Sequence, residues 1–269
     1  MRDTMREAVH AFWDALSETP GNGDDEALNF ALGSLSKLID AQEAYWMGAV
    51  RLDDAAPDDP ALGWRPRAIR YLSDSSARLA NYEAQRRRLE QGVVDPAIAT
   101  NLRGAGCFRV NIKHRLVGKA WFESDYYRTF MAPFGVQDVL FVAMPLGEDM
   151  ESWWAFQRID HEHFYFSEED AEVMRYACRS LAWFLRQVAL HHGLLLAEEP
   201  LTKAERRIVK ALLTDRTERE IADALHLSPS TVHTYAVRVY RKFGVRGRTG
   251  LMALWLGRAP SVTDQAEHA

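Results

Sequence analysis

Residues 228–245, SPSTVHTYAVRVYRKFGV, place apolar side chains at Val232, Ala236, Val239 and Phe243, a spacing that traces one face of an α-helix. Ser230, Thr234, Val237, Arg238 and Arg241 fall on another face, with Lys242 beside it. Ser228 suits the N-cap, Pro229 the first turn, and Gly244 the left-handed residue that ends many helices. Upstream, Thr217 and Glu220 form a capping box before a short helix whose inner side is Ile221, Ala222, Leu225 and Leu227. Thr202 and Glu205 form another, opening a helix with Ile208, Val209, Leu212 and Leu213 inside. Thr249 can cap a last helix carrying Leu251, Leu254, Trp255 and Leu256. The pattern predicts four short helices, the second and third joined by a tight turn around His226–Ser228.

The earlier part of the chain mixes periods. DDEALNFALGSLSKLID (24–40) has Leu28, Ala31, Leu32, Leu35 and Leu38 at helical spacing. AYWMGAVRL (44–52), CFRVNIK (107–113), VLFVAMPL (139–146) and SWWAFQRI (152–159) read as strands. Ser167 to Asp170 (SEED) starts a long helix continuing through His192. This predicts an α+β domain over 1–193, a central antiparallel sheet with helices, and its element order resembles a GAF-like sandwich or a related LuxR-family ligand domain. Gly193 and AEEP (197–200) mark a linker over 194–200. The all-α helix-turn-helix domain then occupies 201–259, followed by a flexible tail, 260–269.

Two helices joined by a tight turn are a helix-turn-helix, whose second helix lies in the DNA major groove. The stretch from Leu201 to Leu256 resembles the DNA-binding domain of LuxR-type regulators. The motif residues are Leu201, Thr202 and Glu205; Glu220, Ile221 and Ala222; Ser228, Thr231 and Val232; Lys242, Phe243, Gly244, Val245 and Arg248. His233 stands where that family usually has Lys, and Tyr235 where it often has His. The resemblance implies a regulator binding double-stranded DNA at an inverted-repeat site as a homodimer, and meeting RNA polymerase if it activates. His233, Thr234, Val237 and Arg238 are the candidate base-facing residues. Ser230, Thr231, Arg241, Lys242, Arg246 and Arg248 are the candidate phosphate contacts. Leu251, Leu254 and Trp255 crowd apolar surface onto a helix of a very small domain, and so are expected at the dimer interface.

Charge supports the division. Residues 201–259 carry a net +7, whereas residues 1–200 carry −10, so a basic module sits on an acidic chain of net −5. That sign change is the footprint of a phosphate-binding unit. The rival reading is an adaptor whose helix-turn-helix domain binds another protein.

Of 29 aromatic residues, 25 lie upstream of the basic module. Tyr45, Trp46, Trp121, Tyr126, Tyr127 and Trp153 are the candidate lining of a small-molecule pocket, although aromatics also fill cores. Trp46 and Asp59-Pro60 loosely echo the Trp and Asp-Pro positions of acyl-homoserine-lactone receptors, making a LuxR-type lactone-responsive regulator a second alternative. The regular βα alternation of a phosphorylated receiver domain is missing; Asp24-Asp25 lies in a polar, Gly-rich turn, and Asp53-Asp54 is the other acidic pair. His161 and His163 would share one side of a strand, yet no third metal ligand is suggested nearby. Neither a P-loop nor a nucleophile elbow is present, so no enzyme, metal or cofactor is expected. Cys107 and Cys178 are expected as buried, reduced thiols. The N-terminus lacks the apolar run of a signal peptide, and VLFVAMPL is too short to span a bilayer, so a cytoplasmic protein is expected.

Overall fold

Two of the predicted strands, around residues 139–146 and 152–159, lie side by side in the computed structural model of the chain. The structure describes residues 2–19, 26–52, 56, 58–73, 75–91, 93–160, 162–192, 194 and 201–255. The chain divides into two units, Met1–Val188 and Ala189–Ala269.

The first unit runs α1 (Asp3–Glu18), α2 (Glu26–Leu38), β1 (Glu43–Arg51), β2 (Trp64–Tyr71), α3 (Ser76–Glu90), α4 (Pro96–Leu102), β3 (Arg109–Ile112), α5 (Lys113–Val117), α6 (Asp125–Phe130), β4 (Val136–Pro145), β5 (Met150–Ile159) and α7 (Glu168–Arg179). The division between units falls within α8 (Ala182–His191). All five strands pair antiparallel in the order β2-β1-β5-β4-β3, the α+β architecture expected.

Both faces of the sheet are covered, which is why β1, β4 and β5 read as nearly continuous apolar runs. On one face Trp46, Trp154 and Val142 stand in register across three strands and are buried. The Trp46 and Trp154 indoles both donate to Ser152 Oγ, at 2.8 and 3.0 Å, so the buried rings keep their polar edges satisfied. On the opposite face Tyr45, Ala155 and Phe141 are aligned, with Met47 and Trp153 beside them. Residues of α3 and α4 meet this second face, Leu89 and Leu102 sharing a buried cluster with Met47.

Three expectations change. The long helix predicted from Ser167 breaks at Ser180–Leu181 into α7 and α8; the apolar stripe runs on from Ala177 through Leu181 and Leu185, so its period conceals the break. The helix does start at Ser167 as expected, through a capping box that Ser167 makes with Asp170. The His163 segment is not part of a strand: β5 ends at Ile159, and Arg158 Nη1 donates to the His163 and Tyr165 carbonyls to hold the bend, while His161 lies outside the described residues. Cys178 is buried, and burial pushes its thiol well above the usual range, but Cys107 is exposed in the turn before β3.

The second unit contains α9 (Lys203–Leu212), α10 (Glu218–Leu225), α11 (Pro229–Lys242) and α12 (Arg248–Trp255). Both predicted capping boxes are made, Thr202 with Glu205 and Thr217 with Glu220. The core joins Ile208, Val209 and Leu212 of α9 with Ile221 and Ala222 of α10 and Val232, Ala236 and Val239 of α11. α12 begins at Arg248, one residue before the Thr249 expected to cap it. Leu251 and Leu254, expected at a dimer interface, belong instead to this core, at 0 % and 9 % exposure. A domain of four short helices has one open side, and α12 closes it. The Trp255 side chain, residues 195–200 of the expected linker, Gly193, and residues 256–269, which include the expected tail 260–269, lie outside the described residues. Among the described residues no helix is long and apolar enough to cross a membrane.

Truncating Leu251 should therefore open a cavity. Leu251→Ala is expected to destabilise the second unit by about 2–5 kcal/mol, read as faster amide hydrogen exchange in peptides from 201–255 of the full chain. Unchanged exchange there would return Leu251 to the surface.

Candidate nucleic-acid interface and ligand pocket

Helix α11 exists where it does because Ser228 starts it. Its Oγ accepts from the Thr231 amide at 3.1 Å, and Pro229 occupies the first helical position. The preceding turn uses His226 in the left-handed region (φ 55°), and the Leu227 amide donates back to the Ala222 carbonyl at 2.9 Å. At the other end Gly244 (φ 61°) lets the Val245 amide return to the Tyr240 carbonyl at 2.9 Å.

With Val232, Ala236 and Val239 fully buried, rotation of the helix about its axis is fixed. Ser230, His233, Thr234, Val237, Arg238 and Arg241 are all exposed, and Val237, an apolar residue, is 51 % exposed. His233 Nδ1 lies 3.1 Å from Glu218 Oε2 at the start of α10, and the Arg238 guanidinium lies 5.8 Å from the Tyr235 ring. The sequence-derived base-facing set is thus brought together on one outward face.

The phosphate set divides. Arg241 and Arg246 are exposed, and Ser230 lies beside the N-cap. Thr231 is half-buried, its hydroxyl 2.8 Å from Ser228 Oγ. Lys242 turns inward, its ammonium donating to Glu205 Oε2 at 2.9 Å. Desolvation would raise the Glu205 carboxyl, but the Thr202 amide and Lys242 outweigh it and hold the group below its usual range. Arg248 caps the α9 C-terminus: Nε donates to the Leu212 carbonyl at 2.7 Å, Nη1 to the Arg216 carbonyl and Nη2 to the Thr214 carbonyl. A cation at a helix C-terminus also meets the negative end of the dipole. In this structure Lys242 and Arg248 hold the unit together, in place of the DNA contacts expected of them.

The first unit holds a second candidate site on the Tyr45 face of the sheet. Two adjoining cavities of about 30 Å³ each share Tyr45, Met47, Leu89 and Ile98. One is bordered by Tyr71, Tyr82, Gln85, Asp95 and Tyr126; the other is apolar, closed by Leu102, Phe141 and Trp153. Tyr71 and Tyr82 stack with centroids 4.6 Å apart. Burial raises the Tyr45, Tyr82 and Tyr126 phenols and pushes Tyr71 up to about 12, so all four stay protonated.

Of the predicted lining, Tyr45, Tyr126 and Trp153 are present. Trp46 is a correction: strand alternation turns its ring to the opposite face. Trp121 and Tyr127 belong to the aromatic layer alongside, packed ring to ring at 5.1 Å. Asp59-Pro60 is also elsewhere in its chemistry, since Asp59 clasps its own loop through the Ala61 and Gly63 amides and Arg65. The Asp-Pro pair at the pocket is Asp95-Pro96, which starts α4 with Asp95 Oδ1 accepting from the Ala97 amide at 2.9 Å. Its signal was available: Asp followed by Pro is an N-cap and first-turn pair. Asp95 Oδ1 also accepts from Trp121 Nε1 at 2.9 Å. Lys113 lies 2.6 Å from Asp95 Oδ2 and 3.9 Å above the Trp121 ring. Among the described residues no three His, Cys, Asp or Glu side chains are grouped to hold a metal ion.

Residues 199–255 match the family profile described as bacterial regulatory proteins, luxR family. The spore germination protein GerE of Bacillus subtilis (strain 168) is 41 % identical over 49 residues, which are 18 % of this chain and 66 % of that protein. The match therefore spans just under two thirds of that relative. A structure of SdiA in complex with octanoyl-rac-glycerol resembles the chain with a TM-score of 0.50 and 11 % identity, covering 96 % of each chain. Another, of Escherichia coli SdiA, gives 0.48 and 14 %, covering 94 % of this chain and 98 % of that one. The likeness to the SdiA complex is one of fold. The segment 199–255 is a LuxR-family helix-turn-helix domain.

The two kinds of cation should separate on mutation. Arg241→Ala is expected to weaken binding to cognate and random DNA alike and lower the salt slope by about one, while Arg238→Ala costs about 1–3 kcal/mol at one or two base positions. Arg248→Ala should instead lower the thermal stability of the second unit. Equal losses on cognate and random DNA for Arg238→Ala would contradict the assignment of faces.

Proposed function

Since its residues 199–255 form a LuxR-family domain, we propose that this chain is a sequence-specific transcription regulator whose DNA binding responds to a small amphiphile held in its first unit. Residues 1–193 act as the sensory part and 201–259 as the DNA-binding part. The observation that carries the reading is the exposed polar and cationic face of α11, fixed by its buried apolar face on a basic unit. His233, Thr234, Val237 and Arg238 read bases, while Ser230, Arg241 and Arg246 meet phosphates. The protein works as a homodimer on an inverted repeat, its recognition helices about 34 Å apart. With Leu251 and Leu254 in the core, dimer contacts fall to other surfaces. A DNA partner implies a cytoplasmic protein, a binding module in place of an enzyme, and contact with RNA polymerase if it activates.

The sensory reading draws on the pocket, which has a polar end at Asp95, Gln85 and the tyrosines and an apolar end at Phe141 and Trp153. An SdiA of similar fold is described with octanoyl-rac-glycerol, a molecule of the same two-ended kind. The cavities are small as they stand, so a ligand enters by parting α3 and α4 from the sheet. That opening is what would carry a signal.

Fluorescence anisotropy of labelled operator-length DNA tests both parts. The full chain is expected to lose affinity linearly with log salt, at a slope of about −0.9 per phosphate contact. Added octanoyl glycerol should change DNA affinity by about 5- to 150-fold. Absent or salt-insensitive DNA binding would favour the adaptor reading; salt-dependent binding indifferent to every amphiphile would remove the sensor.

A further inference from the structure

Residues 65–88 carry seven arginines against two acids, Asp74 and Glu83, although residues 1–200 as a whole have a net charge of −10. The fold gathers these cations on β2, an edge strand of the sheet, and on α3, which packs beside it. Arginine and proline on an edge strand commonly guard against pairing with another chain. That accounts for Arg65, Pro66, Arg67 and Arg70, but for none of the arginines of α3.

Between the two elements lies an open hollow of about 280 Å³, bordered by Arg67, Ile69 and Tyr71 of β2 and by Glu83 and Arg86 of α3. Gly48 pairs with Ala68 and Ala49 with Pro66, so Arg67 is the extra residue of a β-bulge, a distortion that re-aims a side chain. On the α3 side, Arg86 Nε and Nη2 donate to the two Glu83 carboxylate oxygens at 2.8 and 2.7 Å, and Arg87 Nε donates to Glu83 Oε1 at 3.4 Å. The Arg86 hydrogen bonds hold the Glu83 carboxyl below its usual range, so it is ionised at neutral pH and fixes the plane of the guanidinium. Arg67, Arg86 and Arg87 against Glu83 leave two net positive charges about the hollow. Tyr71, stacked on Tyr82 at 4.6 Å, and Ile69 form its apolar wall. Both also border the inner cavity, whereas Arg67 borders the hollow alone.

We propose that this hollow binds a phosphate monoester carrying a small ring, as a site separate from the inner cavities. The phosphate, close to a dianion at neutral pH, matches the two net positive charges. Guanidinium groups offer it forked donors, and Glu83 sets the Arg86 fork in place before a ligand arrives. The ring lies against Ile69 and Tyr71. A carboxylate of the same shape brings half the charge and leaves one cation unmatched.

Phenyl phosphate and benzoate, titrated into the full chain by ligand-observed NMR at neutral pH and low salt, test this without DNA or amphiphile, so the result is independent of the regulator reading. Phenyl phosphate is expected to bind at least about fivefold tighter than benzoate, and to weaken as salt is raised. Arg67→Met should weaken phenyl phosphate about threefold or more. Arg6→Met, which removes an exposed cation of α1, should leave it unchanged. Benzoate binding as tightly as phenyl phosphate, or equal losses in the two variants, would overturn the site. So would absent binding of phenyl phosphate; if Arg67→Met then weakened DNA binding, these arginines would belong to a DNA contact instead.

Discussion

The burial of one side of α11 is the constraint from which the functional reading follows. Val232, Ala236 and Val239 have no exposed surface, and Phe243 continues the stripe at the helix end. A helix fixed at four points along fourteen residues cannot rotate, so its opposite side must face outward. That is why a valine at 237 is left in solvent: the position belongs to the outward face. Two polar ties serve the same end. Lys242 ties the end of α11 to the capping glutamate of α9, and Arg248 ties α12 to the end of α9. These two connections hold a small domain rigid beneath the exposed face of α11.

The first unit is organised by a different constraint, the need to satisfy polar groups inside a sheet covered on both faces. On one face a single serine hydroxyl takes two indoles. On the other Asp95 is held by a helix start, an indole and an ammonium, while Tyr82 donates to Gln157 at 3.0 Å. The first face is closed and apolar, whereas the second sets tyrosines, Gln85 and Asp95 beside small cavities. This asymmetry is what the sensory proposal draws on.

Legibility in the sequence followed the locality of the signal. Thr202, Thr217, Ser167 and Ser228 were readable because a cap is formed within three residues. The β1, β4 and β5 strands were readable because burial on two faces makes an apolar run. β2 was missed, since WRPRAIRY is an edge strand carrying Pro66 and three arginines. α3 was missed too: SARLANYEAQRRRLE has scant apolar periodicity, and among its described side chains only Tyr82 and Leu89 are buried. Lys113 meets Asp95 across 18 residues of chain and Gln85 meets Tyr126 across 41, contacts that no local pattern encodes. Lys242 and Arg248 misled for the same reason, because a cation that caps a neighbouring helix looks in sequence like one that faces a phosphate.

Hydrogen exchange by mass spectrometry on the full chain, with and without a DNA duplex that it binds, tests the central claim most directly. Protection on DNA binding is expected in peptides covering 228–242 and the adjoining turns, with peptides covering 203–212 unchanged. Retained DNA affinity with no protection across 228–242 would contradict the account.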